Sequence, residues 1–230
     1  MSPRTPVPLC LLAMAALALA ASRPAHAAAQ PAWRDQVIAF AGKNFQQGLT
    51  YSHSLRDYIL AKRLAAADHV TLDEDVIFAA AYLHDMGSLA PWADTNRKHG
   101  DVHGDVGAAK IDIVLGGTNF PKAKLDRVRA AIRTHMFNRD PAGSVEARYL
   151  HDADTLDNLG AIGLASLFEI VDPNGGRPTG KQLIKNFDNT QPIEKGVLTP
   201  AGKAELAIRV AEQKAFLDAL ARETDNFKTL

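Results

Sequence analysis

Apolar residues recur at spacings of three and four along most of the chain, with no convincing alternating strand and no internal repeat, so the pattern predicts an all-α fold. A first short helix is expected from Trp33 to Phe45 and a second from about Ser52 to Ala67. The third is the most sharply bounded. Thr71 and Glu74 have capping-box spacing, an apolar stretch runs from Val76 to His84, and Gly87 supplies a C-terminal stop. SLAPWADTNRKHGD then reads as a polar loop. Further helices are expected over about His103 to Leu115, Pro121 to His135 and Ser144 to Val171. Residues 172–199 are rich in Gly, Pro and Asn and read as a long loop with one helical turn at Gln182 to Lys185. Thr199 and Pro200 open a final amphipathic helix to about Ala221.

The first 27 residues break this pattern. Arg4 is followed by an apolar run from about Val7 to Ala21, with small residues at Ala25 and Ala27, as in a secretory signal peptide cut after Ala27. The run is short of the roughly 20 residues a membrane span needs, so export is expected, to the periplasm or the medium, with no membrane anchor after cleavage. Cys10 leaves with this segment, and a cysteine-free mature chain can hold a metal only through nitrogen and oxygen. Loss of Arg4 and Arg23 from 26 basic residues against 26 acidic ones leaves a net charge of about −2, which argues against a nucleic-acid polymer as partner. The remaining length, 47% hydrophobic over the whole chain, suits a single domain.

The chemistry sits where polar residues continue apolar stripes. His135 extends Leu125, Val128 and Ile132; His84 extends Ile77, Ala80 and Ala81; His53 shares a face with Leu60 and Leu64. Asp154 falls on the same face as Leu150, Ala161 and Leu164, where an isolated carboxylate is costly unless paired or metal-bound. Any one of these histidines alone reads as a hydrogen-bonded core residue. Several inward histidines together with inward acids point instead to a divalent metal such as Zn, Mn, Fe, Ni or Co. Asp152 is expected to face outward, and His69 and His151 to lie on the surface.

HSLR at 53–56, AAAYLHDMG at 79–87, HGDVGAAKI at 103–111, AAIRTH at 130–135 and EARYLHDADTLDNLGAIG at 146–163 together resemble the HD-domain metal-dependent phosphohydrolases. The resemblance spans about residues 50 to 170 and implies a helical bundle in which His53, His84, Asp85 and Asp154 hold a divalent ion. It implies a second ion through His103 and His135, with Asp85 bridging, in members that carry both; with all six positions present, two ions are favoured over one. The implied reaction is hydrolysis of a small phosphorylated substrate, a phosphate ester or nucleotide, by water activated on the metal (Mn, Ni, Co, Mg, Zn or Fe). Asp85, and by its position Asp157, are the candidate catalytic residues.

Arg56, one turn after His53, is either a phosphate clamp or a solvated arginine, and Asp157, one turn after Asp154, either orients a ligand histidine or the water or makes a surface ion pair or helix–helix hydrogen bond. Lys98 and His99 are candidates to close over a substrate phosphate, and Arg177, Lys181 and Lys185 to form part of a lid. Ser88 and Met136 stand where the cyclic-dinucleotide branch carries lysine and histidine, which disfavours that substrate. The same ligand set serves di-iron oxygenases of the superfamily, and an inactive metal-binding module is a third possibility.

Overall fold

Helix formation follows the apolar spacing, and the breaks follow glycines and caps that the spacing does not show. The computed structural model describes residues 32–45, 50–96, 101–141, 143–172, 174, 178–187 and 191–230, so the segment expected to be a signal peptide, Lys98, His99 and Arg177 lie outside the described residues. The regular elements among them are helical: α1 (Ala32–Asn44), α2 (Thr50–Ala67), α3 (Glu74–Leu83), α4 (His103–Lys110), α5 (Asp112–Leu115), α6 (Leu125–Arg133), α7 (Val145–Asp157), α8 (Gly160–Glu169), α9 (Gly180–Phe187), α10 (Gln191–Gly196) and α11 (Pro200–Glu223). No helix among the described residues is long and apolar enough to cross a membrane.

The central element is α3, whose residues Val76 to Leu83 are all buried and which packs against α1, α2, α6 and α7. Burial of each large apolar side chain there contributes roughly 1.5–3 kcal/mol. Its cap corrects the sequence reading. Asp73, not Thr71, is the N-cap, accepting hydrogen bonds from the backbone N–H groups of Asp75 and Val76. Glu74 is the first helical residue and takes the hydroxyl of Tyr58 instead of reaching back along its own chain.

The end of α3 is corrected too. The α-helix stops at Leu83, and His84–Ser88 continue as a 3-10 helix. Gly87 is not in the left-handed region, which among the described glycines holds only Gly143 and Gly160. Its requirement is steric: a Cβ at Gly87 would lie 2.0 Å from the His103 carbonyl oxygen and 2.6 Å from the Gly107 nitrogen. The lack of a side chain lets the start of α4 sit directly on the His84–Ser88 turn.

Three expected helices are divided. His103–Leu115 breaks at Ile111 into α4 and α5, and Pro121–His135 begins as a 3-10 turn at Lys122–Lys124 and ends its α-helix at Arg133. Ser144–Val171 breaks between α7 and α8, where Gly160 has φ of +72° and donates its N–H to Gln213 of α11. The stretch expected as a loop contains α9 and α10. Thr199 caps α11 as expected, accepting from the Gly202 N–H.

The return of the chain past α7 explains two further corrections. Asp152 is fully buried, not outward, and accepts hydrogen bonds from the N–H groups of Leu198 and Thr199 and from the Thr199 hydroxyl. His151 is also buried, between the carbonyls of Thr134 and Gly196. His69 is exposed, as expected.

Candidate metal centre

Five structural elements bring the polar residues together. His53 comes from α2, His84 and Asp85 open the 3-10 helix that continues α3, His103 opens α4, His135 follows α6, and Asp154 comes from α7. All six sequence candidates for metal ligation converge at one place.

The imidazoles share one arrangement. Nδ1 of His53 faces Asp157 Oδ2 at 2.7 Å, Nδ1 of His84 faces the Ala81 carbonyl at 2.8 Å, Nδ1 of His103 faces Asp101 Oδ1 at 2.5 Å, and Nδ1 of His135 faces the Ile132 carbonyl at 2.6 Å. Each of these partners is an acceptor, so each ring carries its hydrogen on Nδ1 and turns Nε2 inward. The inward nitrogens meet in pairs, His53 with His84 at 3.1 Å and His103 with His135 at 2.9 Å. Two lone pairs at that separation repel unless a proton or a metal ion lies between them. An outer acceptor fixing the ring while the other nitrogen faces inward is the usual setting of a metal-bound histidine.

The carboxylates complete two groups. Around His53 Nε2 lie Asp154 Oδ1 at 3.2 Å, Asp57 Oδ2 at 3.3 Å and Asp85 Oδ2 at 3.7 Å. Asp85 Oδ2 is also 3.5 Å from His84 Nε2, while its other oxygen, Oδ1, is 3.4 Å from His103 Nε2 and 3.9 Å from His135 Nε2. Donors about 2.1 Å from a shared ion stand roughly 3.0–3.5 Å apart, so these separations fit divalent metal binding.

The electrostatics reflect crowding of opposite charges. Burial opposes ionisation of Asp85, yet the neighbouring His84 and the hydrogen bond from His103 hold its carboxyl well below the usual range. Burial works against a charge on His103 as well, but Asp85 and Asp101 raise it to about 9. Burial and the neighbouring His84 push His135 down to about 4, so its ring is neutral and can accept. Burial opposes ionisation of Asp157 also, and the hydrogen bonds from Arg56 and His53 overcome it, holding the group at about 2.

The cluster opens to a cavity of about 300 Å³, whose other walls include Asp101, Met136, Phe137, Asn158 and Ile193. Arg56 does not line it. Its guanidinium makes a two-pronged pair with Asp157, Nε to Oδ1 at 2.8 Å and Nη2 to Oδ2 at 2.7 Å, and so stands behind the carboxylate that faces His53. The reading of Arg56 as a clamp pointing into the site is corrected accordingly. Lys181 and Lys185 are exposed on α9. Sequence reasoning missed Asp57 and Asp101. Both had a signal, since Asp57 is four residues after His53 on one helix and Asp101 is two residues before His103.

Residues 50–159 match the family model described as the HD domain. That stretch of the chain, just under half of it, carries an HD domain. The HD domain so bounded contains all six converging residues together with Arg56, Asp57, Asp101 and Asp157. Solved structures share its fold. One is a protein from Lactobacillus plantarum, 22% identical with a TM-score of 0.60, the match covering 83% of this chain and 96% of that one. Another is YpgQ from Bacillus subtilis, solved in complex with ADP, 18% identical with a TM-score of 0.60 and covering 83% and 97%. A third is an HD-superfamily hydrolase from Bacillus thuringiensis, 19% identical with a TM-score of 0.55 and covering 84% and 96%. No curated protein matches the chain significantly. At these identities the similarity to solved structures speaks to the fold alone.

Proposed function

We propose that this HD-domain protein is an exported, metal-dependent phosphohydrolase acting on a small phosphate ester or nucleotide. The observation that carries the reading is the division of Asp85: one oxygen faces His53 and His84, the other faces His103 and His135. A carboxylate placed between two sets of imidazole nitrogens suits a pair of divalent ions. On this reading His53, His84, Asp85 and Asp154 hold one ion, and Asp85, His103 and His135 hold the other. Bound divalent ions lower the pKa of water towards neutrality and offset negative charge on phosphoryl oxygens.

The chain's own residues do the rest. Asp157 and Asp101 fix the rings of His53 and His103, and Arg56 keeps Asp157 ionised. The cavity beside the cluster receives the substrate, with Met136, Phe137 and Ile193 giving apolar walls and Asn158 a neutral polar group. Lys98 and His99 stand three and two residues before the cavity residue Asp101 in the chain, which supports assigning them to the substrate phosphate. Nucleoside diphosphates belong among the first substrates to try, because YpgQ, which shares the fold, was solved with ADP.

The test is a screen for phosphate release by the purified mature protein with added Mn, Ni, Co or Mg. The expected result is metal-dependent release that His84→Ala or Asp85→Ala abolishes. Two irons per chain with oxygen uptake and no phosphate release would replace this reading with an oxygenase. Export is tested separately by sequencing the N-terminus of protein recovered outside the cytoplasm, with Ala28 expected first.

A further inference from the structure

Asp57 belongs to no part of the ordered histidine and aspartate pattern through which the chain resembles its family, yet it lies inside the cluster. It follows His53 by one turn of α2, which places the two side chains on one face. Its side chain is fully buried, and neither carboxylate oxygen has a hydrogen-bond partner. Such a group is strongly unfavourable in a protein interior unless a positive charge compensates it.

The surroundings restrict where that charge comes from. Asp57 Oδ2 lies 3.3 Å from His53 Nε2 and 3.6 Å from His84 Nε2, the inward nitrogens of the first pair. Burial, with Asp154, Asp157 and Asp85 nearby, pushes its carboxyl well above the usual range although His53 opposes this, so without an ion the group is driven toward its neutral form. Arg56, the adjacent cation, is committed to Asp157. His53, His84, Asp57 and Asp154 each offer one donor atom, and the four atoms lie within 4.8 Å of one another.

We infer that Asp57 is a direct ligand of the ion held by His53, His84 and Asp154, a protein donor added to the set that the family resemblance implies. The inference rests on the metal-dependent reading above. With Asp57 included, the first ion meets two imidazole nitrogens and carboxylate oxygens from Asp57, Asp85 and Asp154. Five donors rich in oxygen suit an ion that accepts six ligands, such as Mn²⁺ or Fe²⁺, over the four-coordinate setting preferred by Zn²⁺. They also free Asp85 to divide its two oxygens, since the first ion no longer depends on that residue alone for carboxylate beyond Asp154.

The test is Mn²⁺ titration of metal-free wild type and Asp57→Asn by calorimetry. The variant is expected to bind the tighter ion at least tenfold more weakly. Two-ion binding by wild type with unchanged affinity in Asp57→Asn overturns this inference and leaves the metal-dependent reading standing. Absence of binding by wild type overturns both. A second measurement needs no variant: wild type given one equivalent of Co²⁺ is expected to show the weak visible absorption of a five- or six-coordinate ion. The intense absorption of four-coordinate Co²⁺ would contradict a ligand role for Asp57.

Discussion

Asp157 Oδ2 stands 2.7 Å from Nδ1 of His53, so a carboxylate on α7 decides which nitrogen of a ring on α2 faces the metal centre. Asp157→Asn weakens that orientation and removes the charge that raises ligand basicity. The expected result is a roughly 10- to 100-fold loss of metal affinity, read by calorimetric titration, with the melting temperature of the metal-free protein changing less.

Arg56 acts through Asp157. Arg56→Gln is therefore expected to lower metal affinity by a smaller factor than Asp157→Asn, with little separate change in KM once metal is saturating. A large rise in KM at unchanged metal affinity would restore Arg56 to the substrate phosphate.

The metal-free centre holds protons that a metal displaces. His103, raised to about 9 from the ordinary 6.5, is charged in the folded protein at neutral pH, and its proton sits between its own Nε2 and that of the neutral His135. Since the folded pKa lies above the unfolded one, this proton stabilises the metal-free fold fully below about pH 6.5, and the contribution is lost as pH rises through about 9. Denaturation of metal-free protein across that window tests the sign. Metal titration at pH 7 in buffers of different ionisation enthalpy is expected to show proton release, and apparent affinity should increase with pH.

Gly87→Ala probes the seat of α4 on the 3-10 turn. A Cβ 2.0 Å from the His103 carbonyl must displace backbone, so a loss of about 3 kcal/mol in stability is expected. Because His103 moves with that backbone, binding of the second ion should suffer more than binding of the first. Chemical denaturation and metal titration read the two effects.

Much of this centre was legible in the sequence because ligands on helices must continue apolar stripes. His84 and His135 did so visibly, although each lies just past the end of its α-helix, which spacing alone does not reveal. What the sequence concealed were long-range partners. Asp152 looks outward on α7 considered alone, and only the return of residues 197–199 covers it. Arg56 has the spacing of a clamp, but the nearest carboxylate, from a helix about a hundred residues later, captures it. Gly87 resembles a helix stop in sequence and proves to be a contact point between two backbones.

Asp152→Ala tests that covering segment. It leaves the N–H groups of Leu198 and Thr199 and one hydroxyl without their buried acceptor. A loss on the order of 3 kcal/mol is expected, with faster proteolysis ahead of α11.

Metal content per chain is the sharpest test of a pair of metal sites joined through Asp85. Purified protein reconstituted with Mn²⁺ and freed of excess is predicted to hold two ions per chain, and His135→Ala to hold one. A single ion in the wild type, or a content that His135→Ala leaves unchanged, would contradict that pairing.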